Sequence, residues 1–400
     1  MKVIKGGVTA AKGFLAGAVN CGIKKSKKSD LALLYSVKPC ACAGTFTTNK
    51  VRSGSVELCE KHLKGGMAQA VIVNSGNANC CVGKEEIIAA ERITGLTAAE
   101  IGIGKTGVLI ASTGIIGKPL PVEKITDKVP FLVKALNRKG SGVFARAIMT
   151  TDTAHKEIAV TLDLGGKQIV IGGAVKGSGM ICPNMATMLA FFTTDAAIEK
   201  SALKAAFKES VSKSFNKISV DGDMSTNDSA IVLANGMVGN KPVKKGSADY
   251  AKFLNALKFV STELARKIVL DGEGATKFVE IIVKGAKHAG QASKVASHVA
   301  DSNLVKTMIA GGDPNWGRIA ASVGSSGAGI NKDKLDIYFG KIQVMKAGSG
   351  AKASEKALKA VFKNKEISIT IDLGSGKASD KVWTCDLTKE YVRINAEYET

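Results

Sequence analysis

Residues 157–171, EIAVTLDLGGKQIVI, constrain the fold more than any other stretch of the chain. Ile158, Val160, Leu162 and Leu164 alternate with other residues, and Gly165-Gly166 turns the chain into Ile169 and Ile171. Period-two spacing places these apolar side chains on one face of a strand. Paired glycines accept the positive φ that a two-residue hairpin turn requires. A related pattern, EISITIDLGSGK at 366–377, predicts a second such unit in the other half, with Ile367, Ile369 and Ile371 on one face. Between them lie helical spacings. From Ser247, a good N-cap, Tyr250, Phe253, Leu254, Leu257, Leu264 and Ile268 keep to one stripe until Asp271-Gly272. A further stripe runs from Ile198 through Leu203, Phe207 and Val211 to Phe215. Hairpins interspersed with helices predict an α+β protein.

Composition narrows the classes. Four hundred residues with 45% hydrophobic content, 44 glycines and seven prolines suit a large packed core. No run of 18 apolar residues predicts a membrane span. The segment MKVIKGGVTAAKGFLAG has no continuous apolar stretch of the kind a secretory signal needs, so a cytoplasmic location is expected. The eight cysteines (Cys21, Cys40, Cys42, Cys59, Cys80, Cys81, Cys182 and Cys385) lack the paired spacing of a structural zinc site, so no metal is expected. The net charge of +21 raises the alternative of a nucleic-acid binder. Its lysines are scattered, however. Only KKSKK at 24–28 is dense, and aromatic residues that could stack on bases are scarce.

Residues 176–196, KGSGMICPNMATMLAFFTTDA, carry the sharpest chemical feature. A glycine-rich, proline-containing stretch ends at Ala186, and Thr187 opens an apolar run. A threonine hydroxyl is a poor nucleophile without an adjacent base. If the chain is cut before Thr187, the new α-amine supplies one. Such an amine has a pKa of about 7.7–8.0, well placed for proton transfer near neutrality. Cys182, five residues earlier, has no histidine companion and reads as a structural thiol.

The blocks KGSGMI, PNMAT and TTDA resemble the cleavage region of the glutamate N-acetyltransferase/ornithine acetyltransferase family of arginine biosynthesis. The resemblance extends, in order, through GVTAAKGFLAGAVNCGIK (7–24), VNSGNANCC (73–81), STGIIGKPLP (112–121) and MTTDT (149–153). It continues through SVDGDMSTND (219–228), DGEGATKF (271–278), GGDPNWGRI (311–319) and YVRINAEYET (391–400).

The resemblance implies an N-terminal-nucleophile-like layered αββα core. It implies self-cleavage at Ala186-Thr187 into an alpha chain (1–186) and a beta chain (187–400), assembling as α2β2. Thr187 would be the nucleophile and Thr113 with Gly114 the oxyanion hole. Substrate would contact Thr150, Lys176, Thr187, Glu273, Asn395 and Thr400. A lysine suits a substrate carboxylate and a glutamate the cationic side chain of ornithine. The Asn-rich NSGNAN and Asp-rich SVDGDMSTND blocks lack the register of a calcium loop and are expected to form backbone-bonding turns.

The implied reaction moves acetyl from N-acetylornithine to glutamate through an acetyl-Thr187 ester, without a cofactor. Some family members also use acetyl-CoA, and a bifunctional enzyme is expected here. The alternatives are a monofunctional ornithine acetyltransferase and an N-terminal-nucleophile aminopeptidase or amidase, in which water is the acceptor.

Overall fold

The computed structural model of the chain describes residues 1–182 and 188–397. Among the described residues nine strands form one sheet: β1 (Lys2–Ile4), β2 (Phe14–Val19), β3 (Leu31–Phe46), β4 (Met67–Asn77), β5 (Val108–Ile115), β6 (Lys156–Leu164), β7 (Lys167–Lys176), β8 (Leu189–Thr194) and β9 (Ser229–Ala234). Their order is β1-β6-β7-β8-β9-β3-β4-β5, with β2 also paired to β3. The long β3 joins the two parts of the sheet. Its first residues lie between β2 and β4, and Ala41–Phe46 pair with β9. The register shifts between Tyr35 and Cys40, where Pro39 cannot donate to a ladder.

Helices of the first half are α1 (Gly54–His62), α2 (Glu85–Ile101), α3 (Val122–Thr126), α4 (Val129–Lys134) and α5 (Ser141–Ala147); α6 (Lys200–Ser212) and α7 (Ala248–Leu270) follow β8 and β9. Alternation along the central strands feeds two cores. Val175, Ala190, Phe192 and Val232 face α6 and α7, where Phe207, Phe253, Leu257 and Leu264 are fully buried. The intervening residues Ala174, Leu189, Phe191, Ile231 and Leu233 belong to a second core with β3, β4, β5 and the helices of the first half. The protein is therefore a layered α+β molecule, as the periodicity predicts.

The 157–171 hairpin forms as expected. Leu164 pairs with Lys167 across Gly165 (φ 59°) and Gly166 (φ 77°). The 366–377 unit does not form a hairpin. The remaining strands are β10 (Phe278–Ala286), β11 (Asp336–Phe339), β12 (Ile342–Lys346), β13 (Ser349–Gly350), β14 (Glu366–Asp372) and β15 (Ala378–Cys385), ordered β13-β12-β11-β14-β10-β15. Thus β10 lies between β14 and β15, parallel to one and antiparallel to the other. The glycine-rich turn crosses the end of β10 instead, with Leu373 N donating to Lys284 O and Ser375 N to Gly285 O. Helices α8 (Ala289–Ala300), α9 (Asn303–Gly311), α10 (Trp316–Ser325) and α11 (Glu355–Lys363) contribute to the core of this second sheet, and α12 (Lys389–Ala396) follows it.

Among the described residues no helix is long and apolar enough to cross a membrane. Ser247 caps α7, its side chain accepting from Tyr250 N at 3.1 Å. Ser247→Ala is expected to destabilise the protein by about 1 kcal/mol, read as a lowered midpoint in urea unfolding.

A candidate active site at the ends of β5 and β7

Strand β7 ends at Lys176, whose register partner is Leu189 at the start of β8. The start of β8 is therefore brought beside the end of β7. Thr187 and Ala186 themselves, and Thr400 at the other end of the chain, lie outside the described residues. Every other site residue expected from the sequence lines one cavity of about 580 Å³: Thr113, Gly114, Thr150, Lys176, Glu273 and Asn395.

Thr113 and Gly114 close β5, which runs parallel to β4 with Gly114 opposite Gly76. Gly114 has φ 132°, and a Cβ there would lie 2.3 Å from the carbonyl carbon of Gly76. Only glycine permits that approach. Three asparagines hold the two strand ends. Asn74 Oδ1 accepts from Ser112 Oγ at 2.6 Å, and Asn77 Nδ2 donates to the carbonyls of Lys118 and Pro119. Asn227 Nδ2 donates to Ala78 O at 2.6 Å and to Ser112 O at 2.8 Å. The Asn-rich and Asp-rich blocks thus bond backbone around the site, as expected. Asp221 does the same, accepting from Met180 N at 2.6 Å and Ile181 N at 2.8 Å.

Lys176 is only 3% exposed. Burial pushes its pKa down, with Asp152 opposing that shift and Lys156 adding to it. Its Nζ donates to Thr113 Oγ1 at 3.2 Å. The threonine oxygen therefore acts as acceptor toward the lysine and keeps its own O–H to donate elsewhere.

Sequence reasoning did not single out the group that holds Lys176 in place. Asp152 Oδ1 accepts from Gly177 N at 2.7 Å and from Lys156 Nζ at 2.6 Å, while Oδ2 accepts from Thr150 N at 3.1 Å. Lys156 also pairs with Asp271 at 2.5 Å. Burial raises the Asp152 pKa, but Lys156 and Lys176 more than offset it and hold the carboxyl below the usual range. The available clue was the Asp152/Lys156 spacing of four, which joins a loop to the first residue of a strand.

Glu273 sits over Gly179, where a Cβ would be 2.3 Å from the glutamate carboxyl carbon. Its backbone N–H donates to Ser178 O at 2.9 Å, and Asn395 Nδ2 donates to its Oε2 at 2.8 Å. Asn395 arrives on α12, which is seated by Tyr391 donating to Asp221 Oδ2 at 3.1 Å. Asp228 is a further buried carboxyl at the site. Oδ1 accepts from Met188 N at 3.1 Å. Burial pushes its pKa well up, opposed by the Met188 N–H and by Lys176. Cys182 is no rival nucleophile, because burial and then nearby aspartates push its thiol up to about 12.

Comparison with known proteins identifies the fold and the family. A solved chain of the arginine biosynthesis bifunctional protein ArgJ of Bacillus halodurans superposes with a TM-score of 0.51 at 42% identity. It is covered over 98% of its length by 52% of this chain. The architecture is thus that of an acetyltransferase of arginine biosynthesis. The ArgJ family model matches residues 15–400. ArgJ bifunctional proteins of Caldanaerobacter subterraneus and Symbiobacterium thermophilum are each 46% identical, over 404 and 402 residues, with all of both chains covered. The chain belongs to the ArgJ family.

Removing Lys156 would strand a buried carboxylate. Lys156→Ala is expected to cost about 3–5 kcal/mol, measured as loss of unfolding free energy in urea.

Proposed function

We propose that this bifunctional acetyltransferase matures by cutting itself at Ala186-Thr187 and then carries acetyl on Thr187. The observation that carries the reading is the convergence of Thr113, Gly114, Thr150, Lys176, Glu273 and Asn395 on one cavity. Five stretches of chain supply them, and that cavity lies where β7 meets the start of β8. Relative length supports the cleavage: about half of this chain accounts for nearly all of the solved Bacillus halodurans chain. Residues 187–400 make up a similar share.

In the cut, Thr187 Oγ attacks the Ala186 carbonyl carbon, the amide becomes an ester, and water releases residues 1–186. The freed α-amine then serves as base. Oγ attacks the acetyl carbonyl of N-acetylornithine, the amine takes the hydroxyl proton, and the C–N bond breaks with that proton passing to departing ornithine. Glutamate's amine attacks the acetyl ester in turn, giving N-acetylglutamate and restoring the hydroxyl.

Thr113 and the Gly114 backbone N–H are proposed to stabilise the oxyanion. Lys176 leaves the Thr113 proton free for that task, and each such donor is worth roughly 2.7–4 kcal/mol. The Lys176 ammonium, short of charge compensation while buried, would gain a partner in the substrate carboxylate. Thr150, Asn395 and Thr400 would complete the contacts. Glu273, pinned by Asn395, would bind the side-chain ammonium of ornithine. This scheme needs no metal or cofactor, with acetyl-CoA as second acetyl donor. It is compatible with an α2β2 assembly in the cytoplasm.

Intact mass under denaturing conditions should show two fragments, the second beginning Thr-Met-Leu-Ala, and Thr187→Ala should give one uncut, inactive chain. An uncut wild-type chain with full activity would remove Thr187 from the mechanism. Glu273→Gln should self-cleave normally yet raise the KM for N-acetylornithine by about tenfold or more, since it deletes one charge-assisted contact. Unchanged kinetics would reassign that side chain. Hydrolysis of N-acetylornithine without transfer to glutamate would favour the amidase alternative.

A further inference from the structure

A second cavity of about 1230 Å³ opens beside the first and shares Lys25, Thr150 and Thr151 with its wall. Basic side chains outnumber acidic ones in its wall. Lys24, Lys25 and Lys28, from the densest basic run of the sequence, line it together with Arg146. Lys24 is held in the wall by the carbonyls of Ala147 at 3.3 Å and Met149 at 2.6 Å. The two carboxylates lining it already have partners. Asp152 is ion-paired to Lys156, and Glu397 to Arg393 at 3.1 Å. Lys28 and Arg146 are exposed. A concave basic wall of this kind suits an anion bearing several phosphates.

N-acetylornithine and glutamate are small and carry no phosphate, so neither requires this cavity. We infer that it holds the phosphorylated adenosine end of acetyl-CoA, leaving the pantetheine arm to pass the Thr150–Thr151 wall into the acyl-transfer cavity. The inference rests on the acyl-enzyme reading above. There Thr187 Oγ attacks the thioester carbonyl, the C–S bond breaks, and the departing sulfur takes the proton held by the α-amine. The products are acetyl-Thr187 and free CoA. A diphosphate and a phosphomonoester offer the oxygens that guanidinium and ammonium groups bind most strongly.

The test compares two donors on the mature enzyme carrying Lys28→Ala, Arg146→Ala or both. N-acetylglutamate formation is followed with acetyl-CoA and, separately, with N-acetylornithine. The double variant should raise the KM for acetyl-CoA about tenfold or more and leave the N-acetylornithine parameters unchanged. In wild type the KM for acetyl-CoA should climb with salt, and more steeply than in the double variant. Adenosine 3′,5′-bisphosphate, the charged end without the thioester, should inhibit the acetyl-CoA route and spare the other.

An unchanged KM for acetyl-CoA in the double variant would overturn the inference, as would equal losses with both donors. A wild-type enzyme that accepts N-acetylornithine but never acetyl-CoA would do the same while leaving the acyl-enzyme intact. Inhibition of both routes by the bisphosphate would instead mark a regulatory anion site. Loss of both routes in wild type would remove the acyl-enzyme itself.

Discussion

The buried Asp152 carboxylate organises this site. A carboxylate removed from water is costly unless it is paired and hydrogen-bonded. Asp152 meets that condition by accepting from Gly177 N, Lys156 Nζ and Thr150 N. Those contacts tie the loop before β6 to the end of β7, so the turn at Gly177 and the adjoining Lys176 have one allowed position. Lys156 then carries the connection on to Asp271 at the end of α7. Two lysines buried near each other would repel, and the aspartate between them makes their coexistence possible.

A second constraint is close backbone approach. Gly114 against Gly76, and Gly179 beneath Glu273, leave no room for a Cβ. Around the first of these, asparagines take over the hydrogen bonding that the ending strands can no longer provide. Asn227 is the clearest case, since one amide bridges the Ala78 and Ser112 carbonyls from two separate segments. Backbone donors near such a junction are fixed before any ligand arrives, which is what preorganised stabilisation of a developing charge requires.

Local pattern in the sequence revealed whatever local physics decides. The Gly165-Gly166 hairpin and the Ser247-capped α7 are both settled within a few neighbours. The 366–377 stretch has the same alternation and nearly the same turn as 157–167, yet β10 separates its strands. Pairing β10 with β14 depends on contacts about 90 residues apart along the chain, and no periodicity encodes them. The site divides similarly. Thr113, Gly114, Thr150, Lys176, Glu273 and Asn395 were legible through resemblance to a family, and their convergence is a structural result. Lys156 was not legible, because a lysine opening a strand reads as a solvent-facing residue until its two aspartates are seen.

The strand order has a consequence for maturation. Strands β1 to β7 precede the proposed cut and β8 and β9 follow it, but β8 and β9 are threaded between β7 and β3. The proposed cut would thus divide the chain between strands that belong to one hydrogen-bonded sheet. Neither piece alone could close its part of the sheet. Each would present unpaired strand edges of the kind that aggregate. On the proposed maturation, cleavage would therefore follow folding and leave two polypeptides held as one body by the shared sheet. In that scheme the covalent link serves to weave the sheet and is dispensable afterwards.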